Sequence, residues 1–231
     1  MITFEAVAKR YHNGREALSN VNLHVAPGEM VFLTGRSGAG KSTVLKLIAL
    51  LERPTRGRVT VGGENTGKLP ARRVPAFRRR IGVVFQDHRL LVDRPVFDNV
   101  ALPLIVADSS LKEIDRRVRA ALDQVGLRGS ERVLPAELSV GEQQRVGIAR
   151  AIVSRPPILI ADEPTGNLDP QLASEVMTLF RRLNEVGVTV VVATHDLHLV
   201  RESGLRSIVI DNGHITGGAA DGTLPIIEAK R

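Results

Sequence analysis

The chain contains no cysteine. Disulfides and cysteine-ligated metal sites are therefore excluded. It has no tryptophan and only one tyrosine, which leaves it poor in the stacking groups a single-strand nucleic-acid binder uses, and no nucleic-acid partner is expected. No apolar run reaches the length of a bilayer span: residues 188–193 and 100–107 read as a buried strand and the start of a helix. The stretch Met1-Ile2-Thr3-Phe4-Glu5 lacks the basic and then apolar regions of a signal peptide, so a cytoplasmic protein is expected. Neither a long low-complexity segment nor a repeat at solenoid spacing is present.

What remains is a chain of 231 residues, 43% hydrophobic, enough for one large domain or for a domain with an inserted lobe. The net charge of +7 suits either an anionic partner or ordinary solubility. Five of the cations gather at Arg72, Arg73, Arg78, Arg79 and Arg80. They read as a solvated helix face or as a contact for anionic headgroups, at roughly 1 kcal/mol per basic residue.

The first part of the chain is β-like. Residues 2–7 and 21–25 alternate in polarity, Pro27-Gly28 marks a turn, and 30–34 is an apolar strand, with further strands expected at 58–61 and 81–85. A helix is expected from Ser42 to Leu51. The middle is helical: Leu111, Ile114, Val118, Leu122 and Val125 recur on one face, Gly126 closes that helix, and residues 142–153 form another. The last part alternates again, with a strand at 158–161, a helix at 171–184 and a β-branched strand at 188–193 that suits the centre of a parallel sheet. A strand at 206–210 leads into a hairpin turn at Asn212-Gly213, and residues from Gly217 on should be loosely held. The expectation is one α/β domain over 1–231, with a core lobe of 1–86 and 156–231 and an inserted helical subdomain of 87–155.

Between strand and helix lies Gly35-Arg36-Ser37-Gly38-Ala39-Gly40-Lys41-Ser42, followed by Thr43, which fits the P-loop pattern in its required context. Glycines let successive N–H groups curl toward phosphate oxygens, and the helix adds its positive N-terminal end. Lys41 can reach the β- and γ-phosphates of a nucleotide, and Ser42 can ligate Mg²⁺. Ile158-Leu159-Ile160-Ala161 ends in Asp162 and Glu163. Asp162 suits the Mg²⁺ shell, and Glu163 suits a base that polarises the attacking water.

Many enzyme families share those two motifs. The discriminating stretch is Leu138-Ser139-Val140-Gly141-Glu142-Gln143-Gln144-Arg145, which resembles the signature of ABC ATPases. The resemblance runs through the whole chain in order. Tyr11 stands at the adenine-stacking aromatic, Gln86 at the Q-loop, Asp169 at the D-loop acid after Pro164-Thr165-Gly166, and His195 at the switch histidine. It implies a RecA-like P-loop fold with an antiparallel β part and the helical subdomain. It also implies hydrolysis of ATP with Mg²⁺, with Lys41, Gln86, Glu163 and His195 in catalytic roles and Ser42, Gln86 and Asp162 around the metal. The loop from Gly35 to Thr43, Tyr11, Ser139, Gly141, Glu142 and Asp169 would hold nucleotide, the signature residues acting on the ATP of a second copy in a head-to-tail dimer.

Plainer readings stand beside these. Tyr11 could pack on its strand, and Gln86 could be a polar strand end. His195 could be a satisfied core histidine rather than a donor to the γ-phosphate. Ser139 and Glu142 have capping-box spacing, and a capped helix N-terminus is itself an anion site. Val140 replaces a glycine usual in the family. If that position requires a positive φ, valine carries strain of roughly 1–3 kcal/mol there, and Val140→Gly would raise activity.

Within the family, Phe85-Gln86-Asp87-His88-Arg89-Leu90-Leu91 and Gly141-Glu142-Gln143-Gln144-Arg145-Val146-Gly147-Ile148-Ala149-Arg150 resemble the FtsE group of cell-division ATPases. That resemblance implies a peripheral place on the cytoplasmic face of the inner membrane. It also implies a polytopic FtsX-like partner, through which ATP-driven shape change controls cell-wall hydrolases. Thr165-Gly166-Asn167-Leu168-Asp169 also resembles the ATPases of lipoprotein-release and efflux systems of the LolD and MacB type. A soluble ABC protein associated with nucleic acid is the third class. A membrane partner's helix would need an apolar floor, for which Leu90, Leu91 and Val92 are candidates.

Overall fold

The computed structural model describes residues 1–166 and 168–219. Contacts divide the chain into two compact units, Met1–Ala71 with the chain from Val191 on, and Arg72–Val190.

In the first unit, β1 (Ile2–Arg10) pairs antiparallel with β2 (Glu16–Val25) and, on its other edge, with β4 (Arg56–Val61). A short β5 (Glu64–Asn65) completes the order β2-β1-β4-β5. Register shifts along β1 coincide with Ala6, a non-glycine residue at φ 47°. The alternation seen in the sequence becomes a face: Ile2, Phe4, Val7, Val21, Leu23, Val25, Val59 and Val61 are all buried. β3 (Met30–Thr34) is buried throughout and feeds α1 (Lys41–Ile48), whose Val44, Leu45, Leu47 and Ile48 face the core.

The second unit begins with α2 (Val74–Arg78) and β6 (Ile81–Val84). Three helices follow: α3 (Val96–Val106), α4 (Leu111–Gln124) and α5 (Val140–Ile152). α4 is amphipathic as its spacing predicts, with Ile114, Val118 and Leu122 buried, Gly126 at φ 69° just past its end, and Glu113–Arg117 and Asp115–Arg119 ion pairs at 2.7 and 3.0 Å along its outside. Leu111 departs from that face at 86% exposure, because it is the first residue of the helix and has no preceding turn to pack on. β7 (Ile158–Asp162) runs parallel to β6, and α6 (Pro170–Glu185) follows.

β8 (Thr189–Thr194) is buried at all six residues and carries the chain back into the first unit. There α7 (Leu197–Ser203), β9 (Ser207–Asp211) and β10 (His214–Ala219) complete the sheet order β10-β9-β3-β8. Asn212 and Gly213, at φ 45° and 78°, make the expected hairpin turn. β10 extends through Gly217 to Ala219, so the expected loosening does not begin at Gly217. The remainder of that expected segment lies outside the described residues.

Candidate functional site

The first unit holds Tyr11, the loop from Gly35 to Thr43, and His195. The loop curls between β3 and α1, with the Ala39 N–H donating to the Arg36 carbonyl at 3.1 Å. Its shape demands glycine for two reasons. Gly35, Gly38 and Gly40 sit at φ 147°, 78° and 122°. A Cβ on Gly35 would also stand 2.1 Å from the Ile210 carbonyl oxygen, and one on Gly40 2.8 Å from the Ala17 carbonyl oxygen.

Lys41 is buried, and its ammonium donates to the carbonyls of Gly35 at 2.7 Å and Arg36 at 3.3 Å, which places a cation inside the curl. Arg36 and Ser37 are exposed on the outside of the loop, Ala39 is buried, and Ser42 is half-buried in the first turn of α1. The Tyr11 hydroxyl lies 3.2 Å from Thr43 Oγ1, so this ring is tied to the P-loop helix. Lys9 stands over it, 5.1 Å from the ring centroid, and donates to Glu52 at 2.7 Å. His195 is exposed directly after β8, so it is not a core histidine, and the Asp196 carboxylate beside it caps α7.

The second unit holds Gln86, Ser139, Gly141, Glu142, Asp162, Glu163 and Asp169. Gln86 is exposed just beyond β6. Asp162 is the last residue of β7. Glu163, at φ 49°, takes a left-handed conformation that turns the chain out of the strand immediately after it, and its carbonyl accepts from Gly166 N–H at 3.3 Å. A non-glycine residue in that region stores strain of the kind found at functional sites.

Ser139 caps α5. Its Oγ accepts from Glu142 N–H at 3.3 Å, and Glu142 Oε2 accepts from Ser139 N–H at 2.9 Å and from Ser139 Oγ at 2.7 Å. The Ser139 hydroxyl first, then its N–H, holds the Glu142 carboxyl below its ordinary pKa. Val140 is the first residue of α5, has no positive φ and is 50% exposed. The expected backbone strain is therefore absent, because helix capping by Ser139 places residue 140 where valine is sterically at ease. Gly141 packs closely, since a Cβ there would meet the Leu172 Cδ1 at 2.9 Å and that side chain would have to shift. Asp169 caps α6, its Oδ1 accepting from the Gln171 and Leu172 N–H groups at 3.0 Å each.

Sequence reasoning missed four polar residues that shape these loops. Arg15 donates to the Gly38 carbonyl at 2.9 Å. The buried Gln144 amide donates to the Pro164 carbonyl, next to Glu163, at 2.9 Å. Arg150 and Asn99 hold the segment after Gln86. Arg150 and Gln144 lie within the motif runs named above, yet spacing alone says nothing of a carbonyl 61 or 20 residues away.

Residues 18–166 match the ABC transporter family. The cell division ATP-binding protein FtsE of Escherichia coli K12 is 55% identical over 218 residues, covering 94% of this chain and 98% of that one. Its counterpart in Streptococcus pneumoniae serotype 2 is 44% identical over 222 residues, 96% of each chain. Among solved structures, an ATP-binding cassette in a dimeric post-hydrolysis state bound to ADP and Pi is similar with a TM-score of 0.89 at 38% identity, covering 95% of this chain and 98% of that one.

Proposed function

The chain belongs to the ABC transporter family as an ATP-binding and ATP-hydrolysing subunit of the FtsE type, and from that premise we propose how its residues do the work. The observation that carries the reading is the loop from Gly35 to Lys41, in which Gly35 and Gly40 leave no room for a Cβ, Gly38 sits at positive φ, and the lysine lies inside the curl. Its N–H groups and Lys41 meet the phosphates of ATP, and Thr43 and the loop's outer residues Arg36 and Ser37 line them. Tyr11 stacks on adenine with the ring face away from Lys9.

Mg²⁺ would be held by oxygen donors, the Ser42 hydroxyl and the Asp162 carboxylate, with Gln86 as a further ligand. Hydroxyl and carboxylate oxygens are the ligands this hard ion prefers, and phosphates and water complete its shell. When bound, the ion would supply charge neutralisation to the transferred phosphoryl group. Glu163 polarises the attacking water and His195 donates to the γ-phosphate. The capped N-terminus of α5, with Ser139, Gly141 and Glu142, and the Asp169 segment complete the site of a second copy in a head-to-tail dimer.

We further propose a polytopic FtsX-like membrane partner and a peripheral location on the cytoplasmic face of the inner membrane. No helix of the described residues is long and apolar enough to cross a membrane. The second unit exposes Leu91 and Val92, and α3 exposes Leu102, Ile105 and Val106 at helical spacing, apolar surface suited to a partner's helix.

One experiment tests both readings. Glu163→Gln keeps the side-chain shape and removes the carboxylate. ATP binding should persist while turnover falls by about 10²-fold or more, and the tagged variant should retrieve a polytopic protein from detergent-solubilised membranes. Near-normal turnover would remove Glu163 as the base. Normal binding with no membrane protein retrieved would remove the partner.

A further inference from the structure

The helix that begins with the signature also grips the backbone that follows Gln86. Arg150, near the C-terminal end of α5, donates from Nη1 to the Arg89 carbonyl at 2.6 Å and from Nη2 to the His88 carbonyl. His88 and Arg89 are consecutive non-glycine residues at φ 53° and 50°. Side chains rarely adopt that region singly, and two in succession need an outside hold.

The rest of the loop gives some of that hold. Arg89 Nε donates back to Asp87 Oδ1 at 3.1 Å, and its guanidinium lies 4.3 Å over the Phe85 ring. His88 Nδ1 is buried without a hydrogen-bond partner among the described residues, so the loop's own side chains do not satisfy it. The two successive carbonyls are collected by one planar fork, which a lysine cannot copy. Burial, and then the neighbouring Arg89 cation, lower the Arg150 pKa, yet a guanidinium remains charged.

We infer that Arg150 is a positioning residue for hydrolysis: it ties the signature helix to Gln86, two residues upstream of His88, so that the placement of α5 sets the placement of the Q-loop. The fork fixes the backbone and leaves the Gln86 side chain exposed for its own contacts. The inference rests on the reading of the chain as an ATPase.

The test is Arg150→Lys in the full chain, which keeps the charge and loses the fork. Affinity for ATP, measured with a fluorescent ATP analogue, should stay within about twofold, because the P-loop lies on another element. The thermal transition should persist. The kcat should fall about 10-fold or more, the scale set by small misplacements of reacting groups. Amide exchange should rise at residues 88–90 and not along α5. Adding His88→Gly and Arg89→Gly should restore part of the kcat, because glycine adopts positive φ without steric cost. A kcat unchanged in Arg150→Lys overturns the inference. So does a loss of thermal stability with exchange raised across α3, α4 and α5 and no rescue by the glycines, which would make Arg150 a packing residue. A wild-type chain that binds ATP without turning it over would overturn the ATPase reading itself, an outcome visible before any variant is made.

Discussion

Two of the loops that hold the backbone at positive φ do so by opposite means. The loop at 35–40 uses glycine at Gly35, Gly38 and Gly40. The loop at 85–91 uses His88 and Arg89, ordinary residues held by Arg150 from α5, while Asn99 of α3 holds the stretch beyond. The first solution is largely local: absence of a Cβ removes the steric cost at the residue itself, and Arg15 adds one bond to the Gly38 carbonyl. The second is tertiary, since the cost is offset by hydrogen bonds from Arg150, 61 and 62 residues along the chain. The glycine loop keeps its conformation with few outside bonds, whereas the loop after Gln86 depends on where α5 places Arg150.

The comparison breaks most sharply at Gly35. An alanine there puts a Cβ 2.1 Å from the Ile210 carbonyl oxygen and demands an unfavourable φ as well. Overpacking costs about 1–3 kcal/mol and a strained backbone about 1–3 more, so ATP affinity should fall by about 10²-fold or more. Gly38→Ala is the internal control. Its Cβ would meet only the end of a flexible arginine, Arg15 Nη2 at 3.3 Å, so only the φ cost of about 1–2 kcal/mol applies. Titration with a fluorescent ATP analogue decides between them. Equal losses at the two positions would mean that φ, rather than space, governs the cradle.

In the other loop the largest single loss should come from Asn99→Ala. Asn99 is 0% exposed, accepts from the Leu91 N–H at 2.7 Å and donates to the carbonyls of Leu91 and Arg94, both at 3.0 Å, and of Pro95 at 3.2 Å. Leaving such groups unpaired costs about 1–3 kcal/mol. The effect should appear as a lower melting temperature with unchanged ATP affinity. A fall in affinity comparable to that of Gly35→Ala would erase the distinction between the two loops.

The same contrast explains what was legible in the sequence. Alternation in β1 and β2, the β-branched run of β8 and the apolar stripe of α4 follow from local period, and each is present. The P-loop was legible because glycine advertises its own reason. α3 was barely visible, because Pro103 interrupts it and its apolar residues lie on both buried and exposed faces. α7 was missed because seven residues show too little period, although Asp196 and Gly204 cap it plainly. Arg150, Asn99 and Gln144 were illegible as loop holders, since nothing at their own positions says which carbonyls they will meet. Strain at Val140 depended on a positive φ there, a condition that spacing leaves open and that the first residue of α5 does not meet.

That last point yields the smallest expected effect. Val140 is the first residue of α5, outside the left-handed region, with half its surface exposed. Glycine there relieves no backbone strain, and it trades one weak helix former for a slightly weaker one, a cost of about 0.5 kcal/mol or less. The capping box of Ser139 and Glu142 fixes the start of the helix independently of residue 140. Val140→Gly should therefore leave steady-state ATPase activity within about twofold and lower the melting temperature by a degree or two. A severalfold rise in activity would show that the valine side chain, rather than its backbone, crowds the nucleotide of a second copy. Position 140 would then share with Gly35 the need for an absent Cβ, without sharing its positive φ.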